Sequence, residues 1–259
     1  MRTQLKTPLV LGHRGYRARY PENTLLAFRR AFEAGADGVE CDLQKTADGR
    51  YVVIHDPGTA RVTGIDTTVG QARFEDLRLL DFGKGERIPE LGELLEAMPA
   101  GGYLDLELKE ETLAIEDCAP IADILAVWID RRNLMISSFE PRLLAPFRRR
   151  GFTVGFLVDE ETAARGAAAF ASTLLRLRPH YLNFPIQIMK ARGSRAARAL
   201  LALLRGFGFS LLFWTVNTAG DAASVARAAR IIVTDEVEEL VRWRDQSIRT
   251  FAQPAGGSG

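Results

Sequence analysis

The sequence contains little cysteine, almost no charge imbalance and no long apolar run. Two cysteines in 259 residues, Cys41 and Cys118, exclude a disulfide framework, and their spacing is not that of a zinc site. With 34 basic and 33 acidic residues the net charge is +1, which argues against nucleic acid as a partner. No stretch reaches the roughly 18 apolar residues of a membrane span, and the polar start leaves no room for a signal peptide. We therefore expect a cytoplasmic protein without an integral membrane segment.

Hydrophobic residues make up 47% of the chain, which suits one large domain with a full core. Short apolar runs alternate with helical patterns, and this alternation indicates a parallel sheet. The predicted strands are Leu9–Arg14, Gly38–Gln44, Tyr103–Lys109, Leu134–Phe139, Thr153–Val158, Tyr181–Phe184, Ser210–Val216 and Ile231–Thr234. Eight strand–helix units in about 250 residues predict a (β/α)8 TIM barrel, with a doubly wound open sheet as the alternative. We expect one barrel domain over residues 1–252 and a flexible tail over residues 253–259.

The first helix has recognisable start and stop signals. Asn23 is predicted to cap its N-terminus, and Gly35 is predicted to end it after Ala34. Leu25 and Phe28 recur at the spacing of one buried helical face.

One segment interrupts the alternation of strands and helices. Gly38–Gln44 and Tyr51–Asp56 are separated by a few residues that include Asp48-Gly49, which indicates a hairpin. A two-residue turn at Asp48-Gly49 would place Asp42 directly opposite His55, with Cβ atoms about 4.5–5.5 Å apart. The hairpin is therefore predicted to bring His55 to the C-terminal rim, where barrel enzymes have their active sites.

Residues 57–88 follow the hairpin and show little regular apolar pattern. We interpret them as a small insertion after the second strand. A long loop in a compact domain is often functional, so the insertion could be a substrate-selecting flap. A structural plug over one end of the barrel is the equally weighted alternative.

Three carboxylates end or interrupt neighbouring strands. Glu40 and Asp42 share one face of the second strand, and Glu107 lies near the end of the next barrel strand. Taken singly, each could pair with an arginine. Together they would repel one another without a cation between them, and all-oxygen ligation favours Mg²⁺ or Ca²⁺. We predict that they hold one such divalent cation.

Two of the three histidines lie at the same predicted rim. His13 ends the first strand and His55 returns beside the second, so the pair could serve the attacking and leaving oxygens of a phosphodiester. Arg14 and Lys109 supply positive charge for phosphoryl oxygens. The alternative for Lys109 is an ion pair with Glu107 or Asp105.

Later strand ends carry weaker signals. Phe139 and Trp214 could form an apolar wall for an alcohol group, although aromatic residues there are more often core. Asp235 is interpreted as a cap of the final helix.

In combination, these motifs resemble the glycerophosphodiester phosphodiesterase family. The matching segments occur in family order from Leu9 to about Leu240. They are His13-Arg14-Gly15, Pro21-Glu22-Asn23-Thr24, Glu40-Cys41-Asp42, Thr46-Ala47-Asp48-Gly49, His55-Asp56, Ile88-Pro89, Glu107-Leu108-Lys109, Ser138-Phe139, Trp214-Thr215-Val216-Asn217 and Thr234-Asp235.

The resemblance implies a (β/α)8 barrel and a divalent cation held by Glu40, Asp42 and Glu107. It implies that His13 and His55 form an acid/base pair, with Arg14 and Lys109 on the phosphate. The implied reaction converts a small-molecule glycerophosphodiester to glycerol 3-phosphate and an alcohol. A lysophospholipase D-like lipid phosphodiesterase on the same scaffold is one alternative, and a non-catalytic phosphodiester-binding module is another. No motif specifies an oligomeric state.

Overall fold

Eight parallel strands close into a barrel in the part of the chain that the structure, a computed structural model, describes: residues 7–191 and 194–252. The strands are β1 (Leu9–His13), β2 (Gly38–Lys45), β4 (Tyr103–Leu108), β5 (Leu134–Ser138), β6 (Val154–Leu157), β7 (Tyr181–Pro185), β8 (Ser210–Trp214) and β9 (Ala229–Thr234), and a short antiparallel β3 (Tyr51–Val53) pairs with β2. Because β1 pairs with both β2 and β9, the sheet is closed. The predicted (β/α)8 barrel is confirmed, and the predicted tail at 253–259 lies outside the described residues.

Helices connect the strands and surround the barrel. They are α1 (Leu25–Glu33), α2 (Ala60–Thr63), α3 (Phe74–Arg78), α4 (Leu91–Ala97), α5 (Cys118–Trp128), α6 (Pro141–Arg149), α7 (Glu160–Ala164), α8 (Ala167–Leu177), α9 (Gln187–Ala191), α10 (Ser194–Gly206), α11 (Ala219–Val225) and α12 (Val237–Ala252). Short 3₁₀ turns lie at Val69–Gln71, Ile115–Asp117 and Arg131–Asn133. None of the described helices is both long and apolar enough to cross a membrane.

The barrel separates two apolar regions. Strand residues that point outward pack against the helices, as Val39, Leu104 and Leu211 do without any exposure. Leu11 and Met135 belong to a second buried cluster inside the barrel. The inward positions nearer the C-terminal rim are polar, so the barrel interior changes from an apolar base to a charged end.

The β2–β3 hairpin forms as predicted, but its predicted register is wrong by one residue. Thr46 N donates to Arg50 O at 2.9 Å and Gly49 N donates to Thr46 O at 3.0 Å, so the loop has three residues. Gly49 closes this loop with a φ of 81°, a left-handed conformation that suits a turn followed by a bulge. Ile54 N therefore donates to Asp42 O at 3.0 Å, and His55 lies beyond the last residue of β3.

The cap of α1 also differs from the prediction. Thr24 is the N-cap, and its side chain accepts a hydrogen bond from Ala27 N. Asn23 instead adopts a φ of 56° and donates from Nδ2 to Asp42 Oδ2 at 2.8 Å. An asparagine in the left-handed region is tolerated because its short amide finds local partners. Asn23 therefore holds a carboxylate at the acidic end of the barrel and does not cap the helix.

A small insertion follows the hairpin, as predicted. It contains α2 and α3 and has its own apolar cluster, which joins it to β3. The buried members are Val52, Ile54, Val69, Phe74, Leu77, Phe82 and Ile88. A packed core of this kind holds the backbone of the insertion against β3.

Candidate active site

One pocket at the C-terminal rim gathers the residues singled out in the sequence. Its lining includes His13, Arg14, Glu40, His55, Glu107, Lys109, Phe139 and Trp214, and its volume is about 500 Å³, counted with the part that is open to solvent. Asp42, the ninth predicted residue, lies beneath this lining and is only 1% exposed. Strand register explains the gathering, because Asp42 pairs with Glu107 across β2 and β4, and His13 pairs with Glu40 across β1 and β2.

The carboxylates of Glu40, Asp42 and Glu107 form a compact acidic group. Each offers one oxygen, and these oxygens lie within 4.8 Å of one another. Burial, with the charges of Asp42 and Glu107, raises the pKa of Glu40 well above its ordinary range. Burial likewise raises the pKa of Glu107 to about 7 although Lys109 opposes it. The three buried carboxylates therefore repel one another, and this donor set fits a hard divalent cation.

Two basic side chains partly balance this acidic group among the described residues. Lys109 Nζ lies 2.9 Å from Asp42 Oδ1 and also donates to Glu107, so the ion pair considered as an alternative for Lys109 is present. Arg14 Nε lies 3.3 Å from Asp42 Oδ2. Burial would raise the pKa of Asp42, but Lys109 and Arg14 outweigh it and lower that pKa. With all three carboxylates ionised, these two cations leave one negative charge unbalanced at the base of the pocket, and the raised pKa values of Glu40 and Glu107 reflect that excess.

A tight turn after β1 presents Arg14. Arg14 has a φ of 50° and its backbone N donates to Glu40 Oε2 at 3.0 Å. Gly15 follows with a φ of 80°, and a Cβ at that position would lie 2.6 Å from the backbone carbon of Ala27. Only glycine allows α1 to approach this closely, so the turn is fixed between the strand and the helix.

His13 is oriented by a carboxylate that the sequence interpretation assigned to a helix cap. Because a carboxylate only accepts, His13 Nδ1 donates to Asp235 Oδ1 at 2.7 Å. Asn217 Nδ2 donates to Asp235 Oδ2 at 2.9 Å and holds that carboxylate in place. Burial lowers the pKa of His13, with Asp235 opposing. Sequence reasoning missed this role of Asp235. The signal that could have revealed it is that Thr234-Asp235 ends a strand at the same rim of the barrel as His13.

His55 has a matching arrangement. Its Nδ1 donates to Asp56 Oδ1 at 2.6 Å, and burial lowers its pKa. Nε2 of the buried Gln44 lies 3.2, 2.9 and 2.8 Å from the carbonyl oxygens of Ile54, His55 and Asp56, so its two N–H groups are shared among three acceptors. These hydrogen bonds fix the backbone after β3. The His55 ring faces the pocket because of this bend in the chain, and not because His55 pairs directly with Asp42. Sequence reasoning missed Gln44 because its partners are backbone atoms.

Aromatic side chains line another side of the same pocket. Phe139 and Trp214 pack edge to face, with ring centroids 6.1 Å apart. Leu157 and Leu212 extend this apolar wall. The Trp214 indole Nε1 is buried and has no hydrogen-bond partner among the described residues. The pocket thus combines an acidic and basic end with an apolar side.

The closed barrel, with the acidic group and two histidine–carboxylate pairs at its C-terminal rim, has the architecture of a barrel enzyme, whose active site lies at that end. Residues 13–240 match the glycerophosphoryl diester phosphodiesterase family. The chain belongs to this family.

Individual relatives agree with this placement. A glycerophosphodiester phosphodiesterase of Caldanaerobacter subterraneus is 30% identical over 247 residues, which cover 90% of this chain and 96% of the relative. The glycerophosphodiester phosphodiesterase of Thermotoga maritima superposes with a TM-score of 0.79 at 33% identity, covering 92% of this chain and 98% of that one. A phosphodiesterase of Oleispira antarctica, solved with its product sn-glycerol 3-phosphate, gives a TM-score of 0.80 at 25% identity and covers 92% of this chain and 97% of that one.

Proposed function

We propose that this chain hydrolyses glycerophosphodiesters to glycerol 3-phosphate and a free alcohol, with a divalent cation and two histidines. The observation that carries the proposal is that one pocket contains both the acidic group and two histidines that are hydrogen-bonded to carboxylates. The product found in the Oleispira antarctica relative is that of the proposed reaction.

In this proposal Glu40, Asp42 and Glu107 hold one Mg²⁺ or Ca²⁺. Their mutual repulsion and burial favour a cation with oxygen ligands. When bound, such an ion supplies Lewis acidity at a phosphoryl oxygen. Asn23 keeps Asp42 oriented through its 2.8 Å hydrogen bond.

His13 and His55 are the proposed proton carriers. Asp235 and Asp56 each hold an Nδ1–H, so each Nε2 remains available to exchange a proton. One histidine takes a proton from the attacking oxygen, and the other gives a proton to the leaving alkoxide, as a displacement at phosphorus requires. Burial lowers the pKa of both rings. The histidine that acts as base is neutral, and the other must enter the reaction with a proton on Nε2 in order to supply the leaving oxygen.

Arg14 and Lys109 are the proposed phosphate cations. Burial would lower the pKa of Lys109, but Asp42 and Glu107 raise it overall, so this ammonium stays charged beside the pocket. Fixed positive charge stabilises the negative charge that develops on phosphoryl oxygens. Phe139 and Trp214, which line the pocket, are the proposed contacts for the alcohol portion of the substrate.

The test measures release of the phosphomonoester product, which is glycerol 3-phosphate from glycerophosphodiesters and acylglycerol 3-phosphate from lysophospholipids, with Mg²⁺, Ca²⁺ or chelator. We expect turnover of the small diesters with metal and none with chelator. Release from lysophospholipids alone would favour the lipid phosphodiesterase alternative, and full activity in chelator would refute the metal assignment.

Variants separate the two halves of the proposal. Glu40→Ala should abolish turnover together with divalent-ion binding, measured by calorimetry. His13→Ala and His55→Ala should abolish turnover while the ion still binds. Arg132→Gln is the matched control, because it removes an exposed ion pair with Asp130 far from the pocket. Full turnover by either histidine variant would refute the acid/base assignment.

A further inference from the structure

Arg61 lies on the insertion, in the short helix α2, and joins two carboxylates that belong to different parts of the site. Its Nε donates to Asp56 Oδ2 at 2.5 Å. Its Nη1 and Nη2 donate to Glu22 Oε2 and Oε1 at 3.0 and 2.6 Å. One guanidinium therefore holds a carboxylate on each side, with a bidentate contact to Glu22.

Each of these carboxylates also holds a residue of the proposed chemistry. Asp56 uses its other oxygen, Oδ1, to hold His55 Nδ1 at 2.6 Å. Glu22 Oε1 accepts from Arg14 Nη1 at 2.8 Å. The result is a chain of side chains that runs from His55 through Asp56, Arg61 and Glu22 to Arg14. The proton carrier and the phosphate cation are thus tied to one residue of the insertion.

The backbone around Arg61 is held firmly. Thr59, which is fully buried, donates from Oγ1 to Ile65 O at 2.5 Å, and its backbone N donates to Thr67 O. Gly64 ends α2 with a φ of 75°, which glycine adopts at little cost. The side chain of Arg61 is 46% exposed, so these contacts, rather than burial, set its position.

We propose that Arg61 is a positioning residue that sets the His55 ring and the Arg14 guanidinium, so that the insertion assembles the site. The proposal rests on the proposed function, because it assigns Arg61 a role in that reaction. It gives the insertion a task beyond those of a flap or a plug. Arg61 acts through Asp56 and Glu22, and it requires a planar fork with several N–H groups rather than charge alone.

The test compares Arg61→Lys and Arg61→Gln with wild type for kcat, KM and thermal unfolding, all with the same divalent ion. Loss of an outer partner of this kind costs about 10- to 100-fold in activity, and we expect the loss in kcat with KM changed by less than about threefold. Lysine keeps the charge but offers a single point of contact, so Arg61→Lys should lose nearly as much as Arg61→Gln. Arg78→Gln is the control, because Arg78 lies on the same insertion but pairs with Glu93 of α4 at 2.7 Å and contacts neither His55 nor Arg14.

A double variant adds a readout that a merely structural role would not produce. Because Arg61 reaches His55 through Asp56, Arg61→Gln should add to Asp56→Asn only the part of its loss that passes through Glu22 to Arg14, so the combined loss should fall short of the two single losses taken together. Additive losses would overturn the proposal, as would full kcat in Arg61→Lys. A loss confined to KM that varies with leaving-group charge would instead show direct substrate binding and also overturn it. Wild-type inactivity would refute the proposed function, whereas an active wild type with unchanged Arg61→Gln refutes only this inference.

Discussion

The carboxylate of Glu22 allows a quantitative prediction of how folding stability changes with pH. Its side chain is 9% exposed and lies against Arg14, Arg17 and Arg61. Burial would raise its pKa, but the bonds from Arg61 and Arg14 outweigh burial and lower it from 4.5 to about 2. That shift corresponds to at most about 3 kcal/mol of folding stability at neutral pH.

The sign of this contribution follows from the direction of the shift. Folding depresses the pKa, so the stabilisation is complete above about pH 4.5 and is lost as pH falls toward about 2. Glu22→Gln should therefore lower the free energy of unfolding by up to about 3 kcal/mol at pH 7 and by roughly half as much at pH 3. At pH 7 the melting temperature should fall by roughly 6–12 °C.

The assay is urea unfolding of wild type and Glu22→Gln at both pH values. Glu33→Gln is the matched control, since Glu33 pairs with Arg30 at 2.6 Å on an exposed surface where such pairs contribute at most about 1 kcal/mol. An equal effect of Glu22→Gln at pH 7 and pH 3 would refute the electrostatic reasoning. An effect no larger than that of Glu33→Gln would refute it as well.

Three further predictions concern the pocket. Asp235→Asn should lower kcat about 10- to 100-fold with little change in KM, measured by steady-state kinetics, because His13 loses its carboxylate partner; a KM effect alone would contradict this role. Gln44→Leu leaves three carbonyl oxygens without their donor. Chemical unfolding should therefore show a loss of about 1–3 kcal/mol in the free energy of unfolding, together with a lower kcat. Unchanged stability would count against a role of Gln44 in holding the backbone after β3. Trp214→Ala should raise KM roughly tenfold for diesters of apolar alcohols and less for polar ones, across a substrate panel; equal changes would argue against an apolar wall.

The strand periodicity was sufficient to predict the barrel, because parallel strands buried on both faces leave an unmistakable alternation with helices. It also predicted which strand ends meet. Glu40, Asp42 and Glu107 share one face of β2 and β4, and the period of two in a strand makes that placement independent of loop geometry.

The predictions that were wrong or incomplete concern residues whose positions are set by loops. Gly49 in the left-handed region adds a third residue to the hairpin loop, which sequence spacing alone did not distinguish from a two-residue turn. Asn23 resembles a helix cap locally, yet its amide nitrogen donates to Asp42 on the neighbouring strand and Thr24 caps the helix instead. Arg61 is 39 residues from Glu22 and Asp235 is 222 residues from His13, and no local pattern links such pairs.

The central claim is metal-assisted hydrolysis in which the carboxylates hold the ion and the histidines carry the protons. The most direct measurement is a phosphorus NMR time course of chelator-treated protein with a glycerophosphodiester, with divalent ion added part-way. The wild type should begin to release glycerol 3-phosphate only after the addition, and a His13→Ala, His55→Ala double variant should release none. Release before the addition, or by the double variant, would contradict the account.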